Sequence, residues 1–381
     1  MRRGSWHHPS RSGLPRRERC DVPWRADGSL PLAPPRVGPA ARGLPFLQSP
    51  GPAALVLLLS VASAGCGDLL GSRAGEGSFE LAALVPSGDS LILHVGALAH
   101  DSMRGRASGS VDELRAAEYL RERLLAYGLQ APAGGMIQDF DAVSRRGDTL
   151  LSSRNVLGVL PGSGRLGGQW VVVGAHYDHI GYRGLPDESQ GPHNGADDNA
   201  SGTAMVLEMA RVFSGVTQQG GKAPGPRRSI LFAFWGAEEE GLLGSCHYVF
   251  EEPRVPLGRT GALMNFDMVG RLRGDTLVVS GGETSPAWHA LVLEANTPGL
   301  TILRPQNSSP RNTDHACFWQ VGIPWIGFFT RLHPEYHTPF DDVELINFPG
   351  MMRIGELAMR ILAEVAVMPR APVFTGPIPK M

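Results

Sequence analysis

Apolar residues in this chain fall into short runs, and several of them give way abruptly to residues of a different kind. Residues 170–173 (WVVV) are an apolar, β-branched stretch of the type that parallel sheets bury on both faces. Just beyond it the pattern turns polar, at His176, Asp178 and His179. A Gly/Pro-rich loop then leads to Asp197 and Asp198, ahead of a helix of small and apolar residues over 201–213. Residues 229–235 (SILFAFW) repeat the transition and end at GAEEEG, and 262–266 ends at Asp267. Strands are also expected at 155–160, 276–280 and 323–329, with an outer strand or hairpin over the weakly alternating 140–151.

Between these runs the spacing is helical. A helix is expected within 78–98. Ser110 and Glu113 read as a capping box, Leu114, Ala117, Leu120, Leu124 and Tyr127 recur at helical intervals, and Gly128 suits the residue just past the end. Further helices are expected over 242–250, from the Ser285-Pro286 start, over 314–321 and over 347–367. Strands alternating with helices predict an α/β fold: a single-domain αβα sandwich whose central sheet is mixed, mostly parallel and covered by helices on both faces. The domain is read as 78–367, followed by a loose Pro-rich tail over 368–381.

Composition narrows the chemistry. The 381 residues carry a net charge of −2, which gives no broad electrostatic footprint for nucleic acid. The four cysteines contain no CxxC pair, so neither a disulfide framework nor a thiolate metal site is indicated. Cys246 and Cys317, in apolar helical contexts, are read as buried free thiols.

The N-terminal region, 1–66, is a separate matter. Its first fifty residues are Arg- and Pro-rich, and the run AALVLLLSVASAGC that ends at Cys66 is too short to span a bilayer but suits a signal-peptide core. The ending Ser-Ala-Gly-Cys is similar to a bacterial lipoprotein cleavage box, with Ser63 where Leu is usual. The expectation is an exported protein, either anchored to the membrane through a lipid on Cys66 with 67–77 as tether, or periplasmic or secreted. A true start near Val37 or Leu44 fits the abnormally long leader.

The strand ends supply the candidate chemistry. His176, Asp197, the Glu238-Glu239 pair and Asp267 follow buried strands, and His337 sits in a loop after another. Imidazole and carboxylate without thiolate suit zinc. Two histidines and three acids suffice for two ions if one carboxylate bridges them at roughly 3.5–4 Å, an arrangement that clamps a hydroxide and polarises a carbonyl. One member of the Glu-Glu pair is then free to act as general base.

Six segments in order, GAHYDH (174–179), NGADDNASG (194–202), FWGAEEEGLLGS (234–245), NFDMVGR (265–271), TDHACF (313–318) and PEYHTPFDD (334–342), resemble the co-catalytic di-zinc aminopeptidase family that also contains glutamate carboxypeptidase and the secreted glutaminyl cyclases. The similarity extends over roughly 98–364. It implies two zinc ions per chain: one held by His176 and Asp267, the other by Glu239 and His337, with Asp197 bridging. It further implies Glu238 as the base, Asp178 as the group orienting His176, and a cis peptide between Asp197 and Asp198. Tyr336 is a weaker candidate for contacting substrate. Asp198 is assigned no more than a helix cap, and His179, His193, His315, His333, Arg104 and Arg106 supporting or structural roles. The implied activity is exopeptidase action on peptides, as an aminopeptidase. A carboxypeptidase or dipeptidase, a single-zinc glutaminyl cyclase and a non-catalytic binding member are the alternatives.

Overall fold

Four parallel strands form the centre of the sheet, and the residues that end them supply most of the polar groups described below. The computed structural model describes residues 79–144, 147, 149–185, 188–218, 225–305 and 313–378. The chain divides into two units, Met1–Leu69 and Leu70–Met381, and the described residues all belong to the second. The signal segment, Cys66 and the tether therefore lie outside the described residues.

In chain order the elements are α1 (Gly88–Leu98), α2 (Val111–Ala126), β1 (Ile137–Val143), β2 (Leu150–Leu160), β3 (Trp170–His176), α3 (Gly202–Gln218), β4 (Ser229–Trp235) and α4 (Leu243–Phe250). They continue as β5 (Thr260–Phe266), β6 (Thr276–Ser280), α5 (Ala287–Ala295), β7 (Thr301–Leu303), α6 (His315–Gln320), β8 (Trp325–Phe329) and α7 (Phe348–Val367). The strands lie in the order β1-β2-β4-β3-β5-β8-β6-β7. Strands β4, β3, β5 and β8 run parallel, whereas β2 and β6 flank them antiparallel. The sheet is mixed with a parallel centre, as the alternation of strands and helices implies.

The period of two within each central strand assigns the two faces. Ile230, Phe232 and Phe234 of β4 join Val171, Val173 and Ala175 of β3 in one apolar layer, under residues of α1, α2, α3, α5 and α7. Leu231, Ala233 and Trp235 join Val172 in the other, against Tyr248 and Val249 of α4 and Cys317, Phe318 and Trp319 of α6. Both faces are therefore covered, and a strand such as SILFAFW can be apolar throughout.

Local signals are met with small departures. At the start of α2 the Ser110 hydroxyl accepts from the Asp112 and Glu113 amides at 3.2 and 3.1 Å. Glu113 reaches back one residue further than a capping box requires, to the Gly109 amide at 2.6 Å. The outer strand read at 140–151 and the strand read at 155–160 form instead the hairpin β1–β2, with β2 unbroken across the polar Ser152-Ser153-Arg154-Asn155. Asn155 does not interrupt the strand because its buried amide is satisfied: it donates to Gln138 and to the Gly244 carbonyl and accepts from the Gly236 amide.

Two expectations are corrected. Cys246 and Cys317 are not free thiols but a disulfide, with Cα atoms 5.2 Å apart, that joins α4 to α6. The tail beyond Met368 is docked rather than loose as far as it is described: Trp319 donates to the Pro377 carbonyl at 2.8 Å, and Phe374 packs on the α4–α6 layer. No described helix is long and apolar enough to cross a membrane.

Candidate metal centre

Strand β3 delivers His176 at its last position, and the neighbouring strand ends bring carboxylates to it. His176 Nε2 lies 3.4 Å from Asp198 Oδ1 and 3.6 Å from Asp267 Oδ1. A second group lies on the other side of the same aspartate. Asp198 Oδ2 is 3.0 Å from His337 Nε2 and 3.8 Å from His179 Nδ1, while Glu239 Oε1 is 3.3 Å and 2.8 Å from those same nitrogens. His179, Asp198, Glu239 and His337 thus offer donor atoms all within 4.8 Å of one another, as do His176, Asp198 and Asp267. Asp198 is common to both sets and gives one carboxylate oxygen to each.

This corrects the expectation that Asp197 is the shared residue. Its carboxylate is buried and faces away from both donor sets, accepting from the Gly270 amide at 2.6 Å and the Ser201 hydroxyl at 3.0 Å, with His333 Nε2 at 3.2 Å. Within the tight turn Ala196–Ser201 the adjacent side chains point to opposite sides, so one aspartate enters the site and its neighbour braces it. The cis peptide is likewise one position later, at Asp198–Asn199. The capping contact to the Gly202 amide comes from Asn199 at 3.0 Å and not from Asp198.

The loops carrying these groups are tied to one another. Asp341 accepts the backbone amides of both Asp197 (2.9 Å) and Asp198 (3.0 Å). Asp197 in turn links that turn to the loop after Asp267, through Gly270, and to the His337 loop, through His333. Arg106 is fully buried and donates to the carbonyls of Leu98, Tyr177, Asn194 and Gly195, so its charge sits beneath the acidic cluster while its donors hold the backbone. Gly195 has φ +57°, and a Cβ there would come within 2.1 Å of the Asp198 carbonyl oxygen and 2.5 Å of the His179 ring. Gly236 is required for a similar reason: a Cβ would meet the Arg154 carbonyl at 2.4 Å.

Asp178 has contacts besides the imidazole. Its carboxylate accepts from Ser108 and from the Glu238 and Glu239 amides, at 2.7, 3.0 and 3.3 Å. His176 Nδ1 instead meets the Asp178 backbone carbonyl at 3.2 Å, and the carboxylate comes no closer than 3.7 Å. Asp178 therefore stands beside the imidazole and also shapes the glutamate loop. Tyr336 stacks on the His337 ring with centroids 3.8 Å apart. His193 bonds the Gly181 carbonyl and His315 stacks on Trp325, both away from the donor atoms. Arg104 pairs with Glu188 at 2.8 Å on the surface.

The electrostatics favour cations. Burial alone would lower His337, but its contacts with Asp198 and Glu239 outweigh burial and lift it to about 10. His176 is raised in the same way, above all by Glu238 and its bonded acids. Burial raises Glu238 well above the carboxylate range; His176 opposes this, while Asp314, Glu239 and Asp267 add to it. Asp314 itself, buried at the start of α6, is pushed up to about 7 by burial, against His176 and Ser245. A buried group of several carboxylates with imidazoles between them, and no thiolate, is the donor chemistry of zinc.

The chain matches the model of "Peptidase family M28" over residues 155–362. It is 30% identical over 231 residues to the aminopeptidase YwaD of Bacillus subtilis, an alignment that covers 58% of this chain and 46% of the relative, so that it spans about half of that protein's length. Among solved structures it is similar to BSAP, a zinc aminopeptidase from Bacillus subtilis, with a TM-score of 0.62 at 19% identity, covering 76% of this chain and 98% of that one. It is also similar to the Porphyromonas gingivalis glutaminyl cyclase, with a TM-score of 0.59 at 21% identity, covering 74% and 99%. At those identities the structural likeness concerns the fold.

Proposed function

Since the chain belongs to peptidase family M28, we propose that it is a zinc-dependent exopeptidase, an aminopeptidase that removes N-terminal residues from peptides using two zinc ions. One observation carries this reading: Asp198 gives one carboxylate oxygen to each of two separate donor sets. In it, His176, Asp198 and Asp267 would hold one ion, and Glu239, His337 and Asp198 the other. Bound there, such a pair supplies a polarised carbonyl and a water acidified toward neutral pH. The rest falls to the chain. Glu238, held by its amide on Asp178, takes the proton of the attacking water and returns it to the leaving amine. That amide contact to Asp178 Oδ1, at 3.0 Å, fixes where the Glu238 backbone enters the site. The acidic surroundings suit a substrate's protonated N-terminus, and Tyr336, stacked on His337, is a candidate contact for the substrate.

A chelator is expected to abolish hydrolysis of aminoacyl substrates, and zinc or cobalt to restore it, with N-blocked and glutamyl substrates turned over poorly. Preference for N-blocked or glutamyl substrates would turn the reading toward a carboxypeptidase or dipeptidase. Metal analysis tests the glutaminyl cyclase alternative: a single ion per chain would favour it, and the two donor sets speak for two.

We also propose that the protein is exported and anchored through Cys66. The Cys246–Cys317 disulfide supports an oxidising destination. N-terminal sequencing of the native protein should find it blocked or beginning at Cys66, and a mature chain that retains Arg2 to Arg42 would remove the proposal.

A further inference from the structure

A supporting role is the expectation for His179, yet its Nδ1 points into the same space as three other donors. Around an ion bound tetrahedrally at about 2.1 Å, donor atoms lie about 3.4 Å apart. The contacts among His179, Asp198, Glu239 and His337 fall around that spacing: 3.0 Å from His337 to Asp198, 3.3 Å from His337 to Glu239, 3.8 Å from His179 to Asp198 and 2.8 Å from His179 to Glu239. The second set shows the same spacing, 3.4 and 3.6 Å, but from three residues. The His179 side chain is fully buried and stands edge-on to the His337 ring, with centroids 5.5 Å apart, as two imidazoles converging on one point would. The Gly195 backbone packs against its ring, where any side chain would collide, and so fixes its position.

We propose that His179 is a direct ligand, through Nδ1, of the ion held by Glu239 and His337. The two positions are then unequal. One has four protein donors and would hold its ion the more firmly. The other, on His176, Asp198 and Asp267, has three and retains a place for water or substrate. The four-donor position fills first and releases its ion last. The alternative is that His179 only hydrogen-bonds Glu239 and steadies it.

This inference rests on the two-metal reading above, and the experiment separates the two. In the wild-type protein loaded with Co²⁺, each ligating imidazole keeps a proton on its other nitrogen and gives one exchangeable, strongly shifted proton resonance. Three such resonances are expected, from His176, His179 and His337; two would overturn the inference and leave the two-metal reading intact. Absence of any bound cobalt would overturn both. Competition with a chelator provides a second measurement. His179→Ala should weaken zinc at the tighter position more than the ~10–100-fold typical of a residue that only steadies a ligand, while the weaker position changes by a few-fold. A loss confined to that smaller range would count against direct ligation. These readouts do not depend on turnover.

Discussion

Asp198→Ala should release both metal ions together and lower zinc affinity at each position by more than about 100-fold, beyond the effect typical of residues that merely support a ligand. The reason is geometric: Asp198 Oδ1 faces His176 and Asp267, whereas Oδ2 faces His337 and Glu239, so among the described residues it alone serves both sets. The neighbouring Asp197→Asn variant makes the comparison sharp. An asparagine retains an oxygen that can accept from Gly270 and Ser201, and its loss of charge should cost metal affinity only within the supporting range, about 10–100-fold. Equilibrium dialysis followed by elemental analysis of both variants checks this. If Asp197→Asn empties both positions while Asp198→Ala keeps them, the assignment is reversed.

Glu238→Ala should reduce kcat on aminoacyl substrates by about 10²–10⁴-fold, the usual contribution of a positioned general base. KM should change little and the metal content not at all, because Glu238 belongs to neither donor set. On the free-energy scale this is about 3–5 kcal/mol of transition-state stabilisation. Glu239→Ala provides the contrast, since it removes a donor and should lose metal along with activity. Undiminished turnover in Glu238→Ala would remove the residue from the chemistry, and loss of zinc there would make it a ligand instead.

The sequence carried much of this because the site sits where composition changes abruptly. Runs such as WVVV and SILFAFW have the length and composition of strands covered on both sides, and in a parallel sheet the polar residues that follow them emerge at the same edge. His176, Glu239, Asp267 and His337 were legible as donors on those grounds together with the family resemblance, and the structure brings them together. The choice between Asp197 and Asp198 was not legible. Both are aspartates in one turn, and which of them faces inward depends on the Asp341, Gly270 and His333 contacts, which come from residues far along the chain. The Cys246–Cys317 pairing was hidden for a similar reason: it joins residues 71 apart, on two helices with β5, β6 and β7 between them in the chain. The three-residue edge strand β7 carries too little pattern to be read at all.

That disulfide also bears on when the site comes into being. Between its cysteines lie β5, Asp267, the loop that braces Asp197 and Asp314, while Glu238 stands just ahead of Cys246. Tethering two points 71 residues apart removes chain entropy worth roughly 4 kcal/mol from the unfolded state in the simple loop-closure account, which is a large share of the ~5–15 kcal/mol that keeps an ordinary domain folded. With those thiols reduced, the frame that converges the donors would stand on a much thinner margin. Under the proposed export, closing this bridge would stabilise the frame on which the donor sets converge, and a chain kept reduced would hold that frame less firmly.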